Sequence, residues 1–258
     1  MPPGLAYDIE GSGTPVVFLH GLTFDRRMWR PVIDRLDGSV MTMAIDLPGH
    51  GESGGEPAPL EKIADMLHEL LTSLAVQQPV MVGHSMSAGL VGIYASAHPV
   101  SGLVMVDQGT EVRPFAELLH RLAPVLRGPG FADAWQTFES TLGLDLLPEP
   151  VRSLALATHR VKQDVVLGYW DQVMTTDPAA LQEWIDERCE ALTDVPALAV
   201  FGRPLTDGER QRFERLKDVQ IEVWAGDGHC VHLVDPGRFA ATLSGFITHC
   251  TQGDSRRA

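Results

Sequence analysis

The chain has 258 residues, 44% hydrophobic and 21% charged, which suits one large α/β domain or two small ones and excludes a globally disordered chain. A formal net charge of −14, with no basic stripe to neutralise phosphates, excludes a nucleic acid as an expected partner. Met1-Pro-Pro-Gly-Leu5 has neither a cationic start nor an apolar core, and Cys189, Cys230 and Cys250 show neither framework nor metal spacing. No signal peptide or membrane span is therefore expected, and a reducing cytoplasm is the default compartment.

Taken in order, residues 5–10 alternate apolar and polar and predict a strand. A Gly-Ser-Gly-Thr turn leads to a buried strand over 15–20. A helix is expected over 27–36, with Trp29, Val32, Ile33 and Leu36 inward, then a strand over 40–45. Asp46-Leu-Pro-Gly-His-Gly-Glu-Ser53 is a loop by its proline and glycines, and 60–74 is a helix with Ile63, Leu67, Leu70, Leu71 and Leu74 on one face.

Residues 79–89 form the most informative stretch. An apolar run ends at Gly83-His84, Ser85 follows, and Leu90, Val91, Ile93 and Tyr94 then recur at helical spacing. A serine at a tight strand-to-helix turn is driven into an unfavourable backbone conformation with its hydroxyl above the sheet. The residues two before and two after it must be small, because the two backbones nearly touch; Gly83 and Ser87 hold those places. Ser87 stands where the Gly-x-Ser-x-Gly pattern has its second glycine.

Further strands are expected over 102–107, 196–201 and 219–224, and helices over 208–216 and from Asp235-Pro236 onward. The tail from about 252 is expected to be disordered. Unbroken apolar strands alternating with amphipathic helices predict an α/β fold, a mostly parallel sheet flanked by helices, with ligands bound beyond the carboxyl ends of the strands. His20, Asp46, Ser85 and Asp107 all fall at such ends. Between 112 and 193 only helical patterns occur. The expected division is a core of residues 1–111 and 194–258 with an all-helical cap, 112–193, inserted after the strand ending at Asp107. That cap is read as a lid, the alternative being an added helical layer that touches no ligand.

At this point the residues carry a family resemblance. Phe18-Leu-His-Gly21, Asp46-Leu-Pro-Gly-His-Gly-Glu-Ser53, Gly83-His-Ser-Met-Ser87 and Gly228-His229-Cys-Val-His-Leu-Val-Asp-Pro236 occur in that order, and together they resemble the α/β-hydrolase fold superfamily. The resemblance spans residues 5–247. It implies Ser85 as nucleophile, His229 as base, and an oxyanion hole made by the backbone N–H groups of Leu22 and Met86. One of the family's two N-terminal strands is missing, which affects an edge and not the site.

A serine hydroxyl is a poor nucleophile until a base takes its proton. Among ten histidines, His232 lies three residues past His229 and is the alternative base; the preceding glycine favours His229. The acid that orients the imidazole is the open point. The family's usual position, in Gly202-Arg-Pro-Leu-Thr-Asp207, carries leucine, and Asp207 falls two residues late, where it reads equally as a helix N-cap. Asp107, one strand earlier, fits a minority arrangement of the family and is favoured.

The resemblance implies an acyl-enzyme hydrolase acting on a small carboxylic ester or lactone, with no metal or organic cofactor. The expected partner is a small-molecule substrate, with no nucleic acid and no membrane, and the expected state is a monomer or homodimer. Trp135, Tyr169 and Trp170 read either as an apolar pocket wall or as cap core. Ser85 argues against the dehalogenases and epoxide hydrolases of this fold, which use aspartate. Two alternatives stay open: other chemistry on the same residues (C–C bond hydrolysis, a lyase step or cofactor-free perhydrolysis), and a ligand-binding module with vestigial catalysis.

Overall fold

The computed structural model describes residues 4–216 and 218–254, so part of the Met1–Leu5 reading and the last four residues of the expected disordered tail lie outside the described residues. Seven strands form one sheet: β1 (Tyr7–Gly11), β2 (Thr14–Leu19), β3 (Val40–Ile45), β4 (Val80–His84), β5 (Gly102–Val106), β6 (Ala197–Phe201) and β7 (Val219–Val223). Their order is β1-β3-β2-β4-β5-β6-β7. Only β1 runs antiparallel, pairing Tyr7 with Ile45 and Gly11 with Met41. Every other pairing is parallel.

The helices are α1 (Arg30–Ile33), α2 (Leu60–Ser73), α3 (Met86–Ala97), α4 (Arg113–Leu126), α5 (Phe131–Glu139), α6 (Val151–Thr158), α7 (Gln163–Thr175), α8 (Pro178–Glu190), α9 (Asp207–Phe213), α10 (Val231–Val234) and α11 (Pro236–Asp254). All residues of β4, β5 and β6 are buried, as strands covered on both faces must be, whereas the edge strand β1 is exposed throughout and carries Asp8 and Glu10. Along β2 and β3 the side chains alternate. Val17, Leu19, Met43 and Ile45 pack with Ile63, Leu67 and Leu71 of α2 and Leu90 of α3. Val16, Phe18 and Ala44 pack on the opposite face with Val32 of α1 and Phe239, Leu243 and Phe246 of α11.

Five helices, α4 to α8, lie between β5 and β6 and carry a third apolar cluster of their own, centred on Leu119, Trp135, Val166 and Trp170. Gln182 fastens this segment at its root. Its carboxamide oxygen accepts the Val112 and Arg113 N–H groups at 2.8 and 3.2 Å, and its amide donates to the Thr110 carbonyl at 3.0 Å.

Three local readings are corrected. The helix expected over 27–36 is a 3-10 turn, Arg26–Trp29, followed by the single turn α1, because Asp25 caps early by accepting the Arg27 N–H. The cap of α9 is Thr206 and not Asp207; Thr206 and Glu209 satisfy each other's backbone N–H in a capping box. Residues 252–254 continue α11 rather than falling into a disordered tail. The short α10 was invisible in the sequence, its four residues being little more than one turn, far less than the stretch over which a helical period shows.

The loop after β3 is organised by Asp46, whose side chain is fully buried. Its carboxylate accepts the Arg26 N–H at 2.6 Å, the Arg26 guanidinium at 2.5 Å and the Glu52 N–H at 2.8 Å. Without Asp46 the Arg26 guanidinium keeps Asp8 and Glu52, but the Arg26 and Glu52 N–H groups lose their acceptor. Asp46→Ala is therefore expected to lower the unfolding free energy by about 2–4 kcal/mol, read from guanidinium melts at neutral pH.

Candidate active site

The site lies past the carboxyl ends of β2, β4 and β5. Ser85 joins β4 to α3 with φ 55° and ψ −125°, a left-handed conformation that a non-glycine residue adopts only under constraint. The constraint is visible on both sides. The Ser85 N–H donates to the Val106 carbonyl at 2.8 Å, and the backbones of β4 and α3 meet so closely that a Cβ at Gly83 would lie 2.1 Å from the Ser87 carbonyl oxygen. Ser87 fits because its hydroxyl donates to the His20 carbonyl at 2.5 Å, which ties the elbow to the loop leaving β2.

That loop is pinned by two buried imidazoles. His20 Nε2 accepts the Leu47 N–H at 3.0 Å and Nδ1–H donates to the Gly21 carbonyl at 2.8 Å. His50 Nε2 accepts the Thr23 N–H at 3.1 Å and Nδ1–H donates to the Pro48 carbonyl at 3.1 Å. These bonds fix the tautomer of each ring. They also hold Thr23 at φ 73°. Between these anchors the Leu22 N–H, like that of Met86, donates to no group among the described residues.

His229 follows β7 in a loop that presses on the end of β6: a Cβ on Gly202 would fall 1.9 Å from the Gly228 carbonyl oxygen. Its Nδ1 lies 2.7 Å from Asp107 Oδ2. Asp107 itself sits at φ 50° just past β5, with its other oxygen accepting the Gly202 N–H at 2.9 Å and its own N–H donating to the Val200 carbonyl. Asp207 is exposed and stands outside this group, and position 205 carries an unreactive leucine. Of the sequence candidates, Ser85, His229, Asp107, Leu22 and Met86 converge, and Asp207 does not.

Ser85, Met86, Leu22, Asp107 and His229 all border one cavity of about 730 Å³. Trp135, Tyr169 and Trp170 line it as well, while Trp135 and Trp170 also belong to the helical cluster, so both sequence readings of these aromatics describe one arrangement. Among the described residues no group of three or more His, Cys, Asp or Glu is arranged to hold a metal ion.

Two contacts escaped sequence reasoning. One is the Ser87 bond, which a pattern match registers only as a missing glycine. The other is a file of three histidines: His84 lies between His229 and His232, with ring centroids 4.8 and 4.6 Å away, and His84 Nε2–H donates to the His229 carbonyl at 2.9 Å. The Gly-His-Ser motif thus supports the loop bearing His229 directly. His232, the alternative base, is fully buried against Trp29, and neither of its ring nitrogens has a hydrogen-bond partner among the described residues.

Burial is the main cause that lowers the pKa of His232, to about 3, and of His20, to about 4. Burial first and the neighbouring His20 second bring His50 to about 3, while burial and the facing His232 and His229 hold His84 well below its usual value.

A family model described as alpha/beta hydrolase family matches residues 16–242. The non-heme haloperoxidase of Rhodococcus erythropolis is 26% identical, covering 93% of this chain and 94% of its own length. Among solved structures, the enol-lactonase of Burkholderia xenovorans LB400 matches with a TM-score of 0.78 at 16% identity, covering 95% of this chain and 96% of its own. A thermophilic esterase from Thermogutta terrifontis matches with a TM-score of 0.70 at 22% identity, covering 95% and 93%.

His20, His50, His84 and His232 stay neutral in the folded chain while the unfolded chain takes up protons below about pH 6.5. Their contribution is complete above that pH and is lost as the pH falls toward the folded values of about 4 and about 3. His232→Phe, which preserves the ring packing on Trp29, is expected to remove about one proton from this linkage. Between pH 6 and pH 4 its unfolding constant, from guanidinium melts, then rises about tenfold less per pH unit than that of the wild type.

Proposed function

The chain belongs to the alpha/beta hydrolase family, and from that premise we propose that it is a serine hydrolase cleaving a small carboxylic ester or lactone through an acyl-enzyme. The observation that carries this reading is the 2.7 Å contact between His229 Nδ1 and Asp107, in the cavity that Ser85 borders from its elbow. Ser85 supplies the hydroxyl, His229 takes its proton, and Asp107 holds the imidazole in the Nδ1–H tautomer and stabilises the imidazolium. The oxyanion is met by the Leu22 and Met86 N–H groups, whose value lies in being fixed before charge develops. Collapse of the tetrahedral intermediate returns the proton from His229 to the departing alkoxide and leaves an ester on Ser85 Oγ. Water deprotonated by His229 then attacks that ester, releasing the acid and regenerating the hydroxyl.

A serine at position 85 separates this chemistry from aspartate-nucleophile relatives of the fold, because an acyl-serine is hydrolysed at its carbonyl carbon with no alkyl-enzyme intermediate. The apolar walls of the cavity favour a neutral substrate.

A second reading is favoured by the Rhodococcus relative, which is a non-heme haloperoxidase. Hydrogen peroxide replaces water as the second nucleophile: His229 takes a peroxide proton, the peroxide oxygen attacks the acyl carbon, and a peracid leaves as Ser85 regains its hydroxyl. The same residues serve both reactions, and peracid formed from acetate and peroxide distinguishes this branch from plain hydrolysis.

Assays with p-nitrophenyl esters test the assignment. Ser85→Ala is expected to lower turnover by about a millionfold. Asp107→Asn is expected to cost about ten-thousandfold, by favouring the wrong imidazole tautomer. Asp207→Asn, on an exposed first helical turn, should stay within about threefold of wild type. The reverse ranking of the two aspartates would overturn the choice of acid.

A further inference from the structure

The cavity does not end at Ser85. It continues along α3, where Ala88, Gly89, Gly92 and Ile93 line it. With Ser85 these are positions i, i+3, i+4, i+7 and i+8, a single stripe of the helix. Opposite runs α8, which lines the same space with Leu181, Trp184, Ile185 and Arg188, again one stripe. Two helices facing each other with apolar stripes ordinarily interlock. Here α3 presents glycine where a knob would stand. A Cβ built on Gly89 meets nothing within 4 Å, and one on Gly92 meets only Leu192, at 3.8 Å. The result is an apolar channel between the helices, open to the Ser85 hydroxyl at one end.

We propose that this channel is the acyl-chain subsite of the Ser85 site and that the substrate is an ester of a straight, apolar carboxylic acid. The proposal rests on the acyl-enzyme reading. Its length follows from the helix: Gly92 lies seven residues beyond Ser85, about 10 Å along the axis, which an acyl chain of about eight carbons spans. Its polarity follows from Arg188, the one cation on the α8 stripe. The Arg188 guanidinium lies 3.6 Å over the Trp184 ring, donates to the Trp184 carbonyl at 3.2 Å and faces Glu61 at 3.8 Å. That charge is already engaged, so the channel offers a substrate tail apolar surface and no counter-ion.

The test is the ratio of kcat/KM for p-nitrophenyl octanoate over p-nitrophenyl acetate. Each buried methylene contributes about fourfold, so the wild-type ratio should be large. In Gly89→Leu, whose side chain enters the open channel, the ratio should fall at least about sixtyfold, consistent with three or more methylenes displaced. Gly245→Leu, on the exposed face of α11, controls for the effect of replacing a helical glycine and should leave the ratio unaltered. An unchanged ratio in Gly89→Leu, with hydrolysis still dependent on Ser85, overturns the channel and leaves the hydrolase reading standing. Titration calorimetry with octanoate separates the two ideas if no ester is turned over. Binding to the wild type that Gly89→Leu abolishes retains the channel while the hydrolase reading falls, and absence of binding overturns the channel as well.

Discussion

The site depends on one close approach. The backbones of β4 and α3 come so near each other at Gly83 and Ser87 that the residue between them has no relaxed conformation available, and Ser85 is held at φ 55°. Such strain costs on the order of 1–3 kcal/mol and persists only where the surroundings over-determine it. Here they do: β4 is paired on both sides within a fully buried part of the sheet, and the Ser85 N–H is fastened to Val106 on β5. The placement of the hydroxyl at the cavity wall is a by-product of packing two buried elements.

Around this fixed point the polar groups are arranged by exclusion of water. Four imidazoles sit inside the protein and stay uncharged, and three of them use backbone groups as partners: His20 and His50 brace the loop carrying Leu22, and His84 braces the carbonyl of His229. A neutral ring with one donor and one acceptor can bridge two strand-end loops where a charged group would demand a counter-ion. Asp107 differs, since its carboxylate faces both the Gly202 N–H and the His229 ring and so has a partner for each oxygen. The arrangement ties the ends of β2, β4, β5 and β6 together through rings, backbone groups and the Asp107 carboxylate.

Much of this was legible in the sequence, and the exceptions have physical causes. Continuous apolar runs placed the interior strands to within a residue or two, because burial on both faces leaves no polar position to confuse the pattern. Ser85 and His229 were legible from small neighbours and a Gly-His pair. The choice of Asp107 over Asp207 rested only on the leucine at position 205 and the late spacing of Asp207, because both acids follow strands and the sequence does not show which carboxylate meets a ring far along the chain. The role of Ser87 was hidden because a pattern counts its hydroxyl as a defect. The channel between α3 and α8 was hidden for a deeper reason: it is defined by two stripes some ninety residues apart, and each alone reads as ordinary helix packing.

Asp107 roots the carboxylate on β5, directly beside the strand that presents the serine. The segment after β6 contributes no carboxylate to that group; Arg203 grips Glu209 there, and Thr206 closes the start of α9 and donates to Glu111. Beyond Gly202, whose N–H still holds Asp107, a change in the length or sequence of that segment would reshape the cavity's rim while leaving the carboxylate on β5 where it stands.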